Sequence, residues 1–262
     1  MNNQPLISVI TVSYNAASII EQTILSVINQ TYSNIEYIII DGGSTDGTID
    51  VIKKYQSKIS YWISEPDKGI YDAMNKGIKI ATGDWINFMN CGDSFYTNQI
   101  IEEIFCTPKD KYDVIYGNTN LLLPEGEYIQ KGEAITSSKY MPFVHQASFS
   151  NCILMKNNLF DTTFKICADR KFFYDVLKLN GRFCYVDKTF VNYEGVNGFS
   201  STNIVKLLYE IGMIEGKTDK LSWKIYYKLY TMLYAFKQYL KTVLPICLVN
   251  KIKEYNLRRL YS

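Results

Sequence analysis

The segment between Ile35 and Thr48 constrains the fold most strongly, because an apolar strand there ends abruptly on an acid. Three consecutive isoleucines are followed by Asp41, two glycines and a run of small polar residues. Continuous apolar, β-branched runs are typical of strands in a parallel sheet that is covered on both faces. Ligands of open α/β sheets bind beyond the carboxyl ends of such strands, so Asp41 is predicted to face a binding site.

A second strand of the same kind ends on a second acid further along the chain. The apolar residues from Trp85 to Met89 lead directly into Asn90-Cys-Gly-Asp93. Two acidic strand ends in glycine-containing loops predict a site for a nucleotide and a metal ion. One protein carboxylate can suffice for the metal, because Mg²⁺ and Mn²⁺ prefer oxygen ligands and keep several waters.

Alternating strands and helices predict a Rossmann-like, mostly parallel sheet in the amino-terminal half. We expect strands at 6–13, 36–41, 59–64 and 85–89, with helices at 18–29, 48–55 and 70–81. The later pattern is mixed, with helices at 98–105 and 169–179 and strands at 112–117, 119–123, 127–131, 182–186 and 189–193. Residues 203–215 and 220–243 are predicted to be helical.

Composition and cysteine usage are those of a reduced globular protein. The chain has 262 residues, of which 47% are hydrophobic and 21% charged, enough to bury a full core. None of the six cysteines forms a Cys-x-x-Cys pair or a zinc-like spacing, so free thiols are expected. No apolar run reaches the roughly 18 residues of a membrane span, and no signal peptide is visible. We therefore expect a cytoplasmic location.

Five motifs follow one another in order across most of residues 6–95. They are Ser8-Val-Ile-Thr-Val-Ser-Tyr-Asn15, Ile28-Asn-Gln-Thr-Tyr32, the run from Ile38 to Thr48, the run from Ser64 to Gly77, and the run from Ala81 to Asp93. This series resembles the family 2 glycosyltransferases, inverting enzymes with the α/β GT-A fold, of the bacterial polysaccharide-biosynthesis type. We expect a catalytic domain at 1–219, with a nucleotide-binding half at 1–95 and an acceptor half at 96–219, followed by a basic, aromatic helical tail at 220–262 that the resemblance hardly covers.

The resemblance also assigns residues to the nucleotide of a sugar donor. Asp41 would accept a hydrogen bond from the N3–H of uracil, which favours a UDP-sugar, and its structural alternative is a turn or helix-capping carboxylate. Thr11, Ser13 and Asn15 would line the same pocket. Hydrogen bonding within the turn is an open alternative for Ser13 and Asn15.

The segment from Asp67 to Gly77 departs from the family at one position, because Met74 stands where an arginine is common. Lys68 or Lys76 is then expected to supply the cationic contact, although lysines on a helix face are often simply solvated. Asp72 could contact the base or hold the loop, and the residues alone do not decide between these roles.

Asp93 is the predicted ligand of Mn²⁺ or Mg²⁺, since the D-x-D-like motif of the family falls at Asn90 to Asp93. A bound cation would stabilise the negative charge of the leaving diphosphate. Gly92 stands where the family usually has an acid, so the contact which that acid makes to the ribose must be lost or replaced.

Inverting transfer needs a general base to deprotonate the acceptor hydroxyl. The resemblance assigns this role to Asp169, whose structural alternative is an acid stabilised by a helix dipole; Asp161 and Asp175 are poorer candidates. His145 is the only histidine. It either belongs to a motif that resembles an acceptor-side motif of the family or has only a structural role. Ser200 belongs to the loop 193–201, which resembles a family loop that closes over the diphosphate.

The carboxyl-terminal tail carries a strong excess of positive charge. From Lys220 onward nine Lys or Arg stand against one acid, a net charge of +8, which leaves −6 for the first 219 residues. Its lysines alternate with Trp223, Tyr226, Tyr227, Tyr230, Leu233, Tyr234 and Phe236. A basic, aromatic amphipathic helix suits an anionic membrane surface; packing on the catalytic domain is the alternative. No nucleic-acid motif accompanies the charge.

Together these features predict a non-processive, metal-dependent enzyme that moves one sugar from a UDP-sugar to a lipid-linked or growing polysaccharide acceptor at the inner face of the cell membrane. A catalytically silent nucleotide-sugar-binding module recruited by its tail is the alternative from another class. A nucleotidyltransferase on a related fold is a third possibility. Both P-loop and G-x-G-x-x-G motifs are absent from the sequence.

Overall fold

The structure, a computed structural model, describes residues 4–124, 126–135, 141–194 and 202–243. The chain divides into two compact units, Met1–Thr202 and Asn203–Ser262. The domain boundary predicted at residue 219 lies inside the second unit, between its two helices.

The amino-terminal half of the first unit is a parallel sheet with helical crossovers, as predicted. Its strands are β1 (Ile7–Ser13), β2 (Ile35–Asp41), β3 (Tyr61–Ser64) and β4 (Trp85–Phe88), in the spatial order β3-β2-β1-β4. The connecting helices are α1 (Ile20–Ile28), α2 (Thr48–Lys54) and α3 (Ile70–Ile80). Every residue of β1 is buried, as expected for a central strand of a sheet that is covered on both faces.

The second half extends the same sheet with mostly antiparallel pairs. Its strands are β5 (Ser94–Phe95), β6 (Val114–Leu123), β7 (Gly126–Gln130), β8 (Ser148–Asn151) and β9 (Phe183–Tyr193), and its helices are α4 (Ile100–Ile104), α5 (Cys152–Asn157) and α6 (Ala168–Lys178). β8 lies between β4 and β6 and is antiparallel to both. β9 pairs parallel to β6 and antiparallel to β5. The predicted α/β fold with a mixed second half is therefore confirmed.

Two predicted strand breaks are absent, because β6 and β9 are each one long strand where two short strands were expected. The expected break in β6 falls after Gly117, where the register with β9 shifts. A Cβ atom at this glycine would lie 2.3 Å from the Phe190 ring. The glycine thus permits a close approach of the two strands and does not end β6.

The second unit is a helical pair formed by α7 (Ile204–Ile214) and α8 (Leu221–Val243). The Tyr209 ring of α7 packs against Trp223 and Tyr227 of α8, with ring centroids 5.7 and 5.4 Å apart. Gly212 makes room for this contact, since a Cβ atom there would lie 2.3 Å from the Trp223 ring. Among the helices that the structure describes, none is long and apolar enough to cross a membrane.

Candidate active site

Asp41 sits at the centre of a hydrogen-bonded cluster where β1, β2 and β3 end. The strand register places it beside Ser13 on one side and Ser64 on the other. Its Oδ1 accepts hydrogen bonds from the hydroxyls of Ser13 (2.8 Å) and Ser44 (2.5 Å). Its Oδ2 accepts from the Ser64 hydroxyl (2.6 Å) and from the main-chain N–H groups of Gly43 (3.1 Å) and Ser44 (2.8 Å).

These donors keep Asp41 charged although its side chain is fully buried. Burial alone would raise the pKa of the carboxyl, but the hydrogen bonds from Ser44, Ser64 and Ser13 outweigh it and lower the pKa. The cluster is therefore a preformed anion at the edge of the sheet. The N–H of a nucleotide base that binds Asp41 must either add to these hydrogen bonds or replace the bond from one of the serine hydroxyls.

Thr11 lies beneath this cluster and not at its surface. Its side chain is fully buried, and its hydroxyl donates to the Met89 carbonyl oxygen (2.8 Å) and lies 3.0 Å from the Tyr37 hydroxyl. Thr11 therefore ties β1 to β2 and to the end of β4. Its predicted place in the nucleotide pocket, near the equally buried Asp41, stays a prediction.

Asn15 fastens the loop after β2 to the end of β1. Its Oδ1 accepts from the N–H of Thr45 (3.0 Å), and its own N–H donates to the Ser44 hydroxyl (2.8 Å). The neighbouring Tyr14 is 66% exposed, and a Cβ atom on Gly42 would lie 3.4 Å from its ring. Tyr14 thus offers an aromatic face beside the Asp41 cluster. The motif contained this residue, but sequence reasoning did not single it out.

The loop before α3 is held by its own acids. Asp72 accepts a hydrogen bond from the main-chain N–H of Lys68 (3.0 Å), so in this structure it holds the loop. Lys76 forms an ion pair with Glu65 (2.7 Å), which raises the pKa of the lysine. Met74 is buried in the core, and Lys68 is exposed. Lys68 therefore remains the more available of the two candidate cations.

Asp93 is a buried carboxylate in the loop after β4. It is 5% exposed, and its Oδ2 accepts a hydrogen bond from Gln146 Nε2 (2.7 Å). Its Oδ1 accepts a longer bond from the N–H of Glu194 (3.3 Å). Burial raises the pKa of Asp93 to about 6, because these two hydrogen bonds only partly offset the loss of water.

Two further oxygen atoms make this loop suitable for a divalent cation. The Asn90 Oδ1 atom is buried and, within the described residues, has no hydrogen-bond partner. A Cβ atom on Gly92 would lie 3.9 Å from Glu194 Oε2, so the carboxylate of the residue directly after β9 approaches the position where the family has an extra acid. Sequence reasoning missed Glu194, because 101 residues separate it from Asp93. The one signal was the resemblance of the loop 193–201 to a family loop that closes over the diphosphate.

The number of ligands also fits a cation that is shared with a substrate. Among the described residues, no group of three or more His, Cys, Asp or Glu side chains forms a closed metal cage. Mg²⁺ in phosphate-binding sites is typically held by one or two carboxylates together with substrate phosphates. Asp93 with these neighbouring oxygens therefore fits a metal that arrives with a nucleotide diphosphate.

Asp169 and His145, predicted separately, are in direct contact. His145 Nδ1 lies 2.8 Å from Asp169 Oδ2, and His145 Nε2 lies 3.0 Å from Asn90 Nδ2. With the Asn90 amide as donor, Nε2 accepts and the ring proton lies on Nδ1, facing Asp169. The Tyr71 hydroxyl lies 2.9 Å from Asp169 Oδ1. Both ring nitrogens of His145 are thus engaged within the protein.

This contact determines the charge state of Asp169. Burial alone would raise its pKa, but the hydrogen bonds that it accepts, first of all the one from His145, outweigh burial and lower the pKa. Asp169 stands in the first turn of α6, where a negative charge is also favoured by the helix dipole. The carboxylate is therefore ionised at neutral pH and can accept a proton.

The remaining candidates lie elsewhere or outside the described residues. Asp161 accepts hydrogen bonds from Thr163, and Asp175 pairs with Lys171. Both acids line a groove between α5 and α6 that does not include Asp93 or His145. Ser200 lies outside the described residues.

The comparisons identify the family. Residues 8–167 match the model for glycosyl transferase family 2. The chain is 33% identical over 184 residues to an uncharacterised glycosyltransferase of Mycobacterium tuberculosis H37Rv, covering 66% of this chain and 69% of the relative. A PGL/p-HBAD biosynthesis glycosyltransferase of the same strain is 31% identical over 119 residues, covering 44% and 46%. The chain therefore belongs to glycosyl transferase family 2, and the predicted nucleotide-sugar-dependent transferase is confirmed.

Solved structures support the GT-A fold. S. aureus TarS in complex with UDP-GlcNAc matches with a TM-score of 0.65 at 18% identity, over 80% of this chain and 66% of that chain. The mannosyltransferase PcManGT from Pyrobaculum calidifontis, in complex with GDP-Man and Mn²⁺, matches with a TM-score of 0.65 at 13% identity, over 82% and 64%. The chain thus spans just under two thirds of each solved chain, and these identities show the fold alone.

Proposed function

We propose that this chain is an inverting, non-processive glycosyltransferase that moves one sugar from a UDP-sugar to a lipid-linked or growing polysaccharide acceptor. The observation that carries the proposal is a single hydrogen-bonded link between the two halves of the site. His145 contacts the candidate base Asp169, and the next residue, Gln146, contacts the candidate metal ligand Asp93. Leaving-group stabilisation and proton removal would thus be performed side by side.

Uridine recognition is assigned to the Asp41 cluster. The ionised, donor-rich carboxylate supports acceptance of an imide N–H, and the exposed Tyr14 ring beside it supports stacking of a flat base. The relative TarS was solved with UDP and with UDP-GlcNAc, which favours uridine. Ser13 and Asn15 would then shape the pocket through Asp41 and its loop, and Lys68, Lys76 or Asp72 would border it.

Mn²⁺ or Mg²⁺ is the proposed cofactor, held by Asp93 with Asn90 and Glu194 nearby. When bound, the cation supplies Lewis-acid stabilisation of the departing diphosphate. The buried Asp93 carboxylate is costly to ionise in isolation, and a neighbouring positive charge would remove that cost. Glu194 would replace the acid that is missing at Gly92.

Asp169 is the proposed general base. It would take the proton of the acceptor hydroxyl as that oxygen attacks the anomeric carbon and the bond to UDP breaks. His145 would act as a positioning residue, because neither of its ring nitrogens is available to an acceptor while both are bonded to Asp169 and Asn90. His145 would therefore act on the acceptor only through Asp169 and would not contact the acceptor directly.

A peripheral position at the inner face of the membrane is proposed together with the lipid-linked acceptor. The basic, aromatic second unit supports attachment, and no described helix could span the bilayer. The sequence lacks the Q-x-x-R-W motif of processive synthases, which supports transfer of one sugar per encounter.

The test is UDP release from a panel of UDP-sugars, with Mn²⁺ or with EDTA. Wild type is compared with Asp93→Ala, Asp169→Asn and the control Asp161→Asn, which removes an acid outside the proposed site. We expect metal-dependent release that is lost in Asp93→Ala and unchanged in Asp161→Asn. Asp169→Asn should abolish transfer once an acceptor is supplied.

The same measurements distinguish the alternative functions. UDP binding without release from any sugar, in the presence of candidate acceptors, would indicate the silent binding module. Release of pyrophosphate in place of UDP would indicate a nucleotidyltransferase. Failure to bind UDP with Mn²⁺ would contradict the assignment of Asp41 and Asp93.

A further inference from the structure

Helix α8 exposes one continuous apolar face. Its members recur every three or four residues, so they share one side of the helix. Each is between 54% and 73% exposed. They are Leu221, Ile225, Leu229, Met232, Phe236, Tyr239 and Val243. We call this set the apolar stripe; at 1.5 Å per residue the 23-residue helix that carries it is about 35 Å long.

The opposite side of α8 is used within the second unit. Trp223 and Tyr227 stack on each other, with ring centroids 5.0 Å apart, and both contact Tyr209 of α7. Large aromatic residues that the sequence suggested for a membrane contact therefore pack against α7. Three of the residues that the sequence suggested, Tyr226, Leu233 and Phe236, are exposed, and only Phe236 belongs to the apolar stripe.

The charges of α8 discriminate between possible partners of the apolar stripe. The helix contains Lys224, Lys228, Lys237 and Lys241 and no acidic residue. In helical projection Lys224 and Lys228 flank one side of the stripe, and Lys237 lies beyond its other side. Two copies packed stripe to stripe would bring lysines together without acids to pair them. An anionic surface would pair with them instead.

We propose that the apolar stripe lies in the interface of an anionic lipid membrane, with α8 parallel to the surface and its lysines at the level of the headgroups. Amphipathic helices with an apolar face and a cationic polar face bind membranes in this way. The inference refines the peripheral location proposed above by naming the surface that makes the contact. It does not depend on the chemistry of the donor site.

The experiment measures binding of the full chain to vesicles of phosphatidylcholine alone or with phosphatidylglycerol. The test variant is Leu229→Glu/Phe236→Glu, on the stripe. Gln238→Glu/Thr242→Glu changes the charge equally but lies outside the stripe, so it is the matched control. Circular dichroism checks that both variants keep their helices.

We expect binding to the anionic vesicles that weakens at high salt, at least tenfold loss in the stripe variant and less than threefold loss in the control. Replacing Lys224, Lys228 and Lys237 with Gln should weaken binding about fivefold for each lysine that faces the headgroups. UDP-sugar hydrolysis without vesicles should be the same in all variants. If wild type binds vesicles but hydrolyses no UDP-sugar, only the proposed function is contradicted, and the membrane contact of the stripe stands.

Three results would overturn the inference. They are the absence of vesicle binding by wild type, equal loss of binding in the stripe variant and the control, and binding that is indifferent to lipid charge and to the lysines. Sedimentation velocity without vesicles adds a specific alternative. If wild type forms dimers that the stripe variant cannot form, and neither binds vesicles, the occupant of the stripe is a second copy of the chain.

Discussion

Replacing Asp93 with Asn should stabilise the metal-free protein. Asp93 is 5% exposed, and burial raises its pKa from an ordinary 3.8 to about 6. Since one unit of pKa is about 1.4 kcal/mol, ionised Asp93 costs the folded state about 3 kcal/mol. Asn avoids this charge and can still accept the hydrogen bond from Gln146 through its amide oxygen. It loses the longer bond from the N–H of Glu194, worth about 1 kcal/mol.

The expected net gain is about 2 kcal/mol above pH 6, or about 5 °C in melting temperature for a chain of this size. The sign follows from proton binding. Between about pH 4 and pH 6 folded Asp93 stays protonated while the unfolded carboxyl ionises, so wild type loses stability as the pH rises. Above pH 6 both states are ionised and this contribution is constant. The difference between Asp93→Asn and wild type should therefore grow from pH 4.5 to pH 6.5 and then level off.

Thermal unfolding in EDTA at a series of pH values tests this expectation, with Asp161→Asn as a control that removes the same charge elsewhere. The pKa of Asp161 is lowered by its hydrogen bonds with Thr163, so its replacement should not stabilise. Adding Mn²⁺ to samples that already contain UDP should raise the melting temperature of wild type but not of Asp93→Asn. A metal-free Asp93→Asn protein that melts at or below wild type at pH 7.5 would refute the argument from burial.

Three further substitutions test the rest of the site. His145→Ala should lower kcat about tenfold to a hundredfold, a smaller loss than that from Asp169→Asn, with little change in the KM for donor. His145→Asn keeps a hydrogen-bond donor and should recover part of the rate. A change in the KM for acceptor alone would instead indicate that His145 contacts the acceptor directly. Asp41→Asn should lower stability at neutral pH by at least about 2 kcal/mol, since serine hydroxyls lose a charged acceptor, and it should weaken UDP binding. Calorimetry measures both effects. Unchanged stability would contradict the role of Asp41 as the charged centre of the cluster. Glu194→Gln should weaken Mn²⁺ binding in the presence of UDP about tenfold by electron paramagnetic resonance, and an unchanged affinity would remove Glu194 from the site.

The amino-terminal half was predictable because its signals are local. A buried strand followed by a glycine turn and small polar residues specifies both β2 and the position of Asp41 at its end. The same reasoning located β4 and the loop that carries Asp93. These elements need only their own apolar runs and the short-range preferences of turn residues.

Strand β8 was missed because it has no such signal. Its four residues, Ser148-Phe-Ser-Asn151, contain one apolar side chain, yet the first three are buried between β4 and β6. Its extended conformation depends on pairing with strands that are distant in sequence. The side chain of Asn87, also buried, supports this segment by donating to the carbonyl oxygens of Gln146 and Ser148, at 2.8 Å each. Such pairing is a tertiary property, and propensity cannot reveal it.

The missed strand explains why separately predicted residues meet. β8 is antiparallel to β4, with Ile86 opposite Ser150, so the start of β8 lies at the carboxyl end of β4. The short helical turn His145–Ala147 comes directly before β8 and therefore lies beside the Asn90–Asp93 loop. Adjacent residues of this turn contact Asp169 and Asp93. The spacing between the proposed base and the proposed metal ligand is thus determined by the backbone of one short turn, which the sheet itself positions.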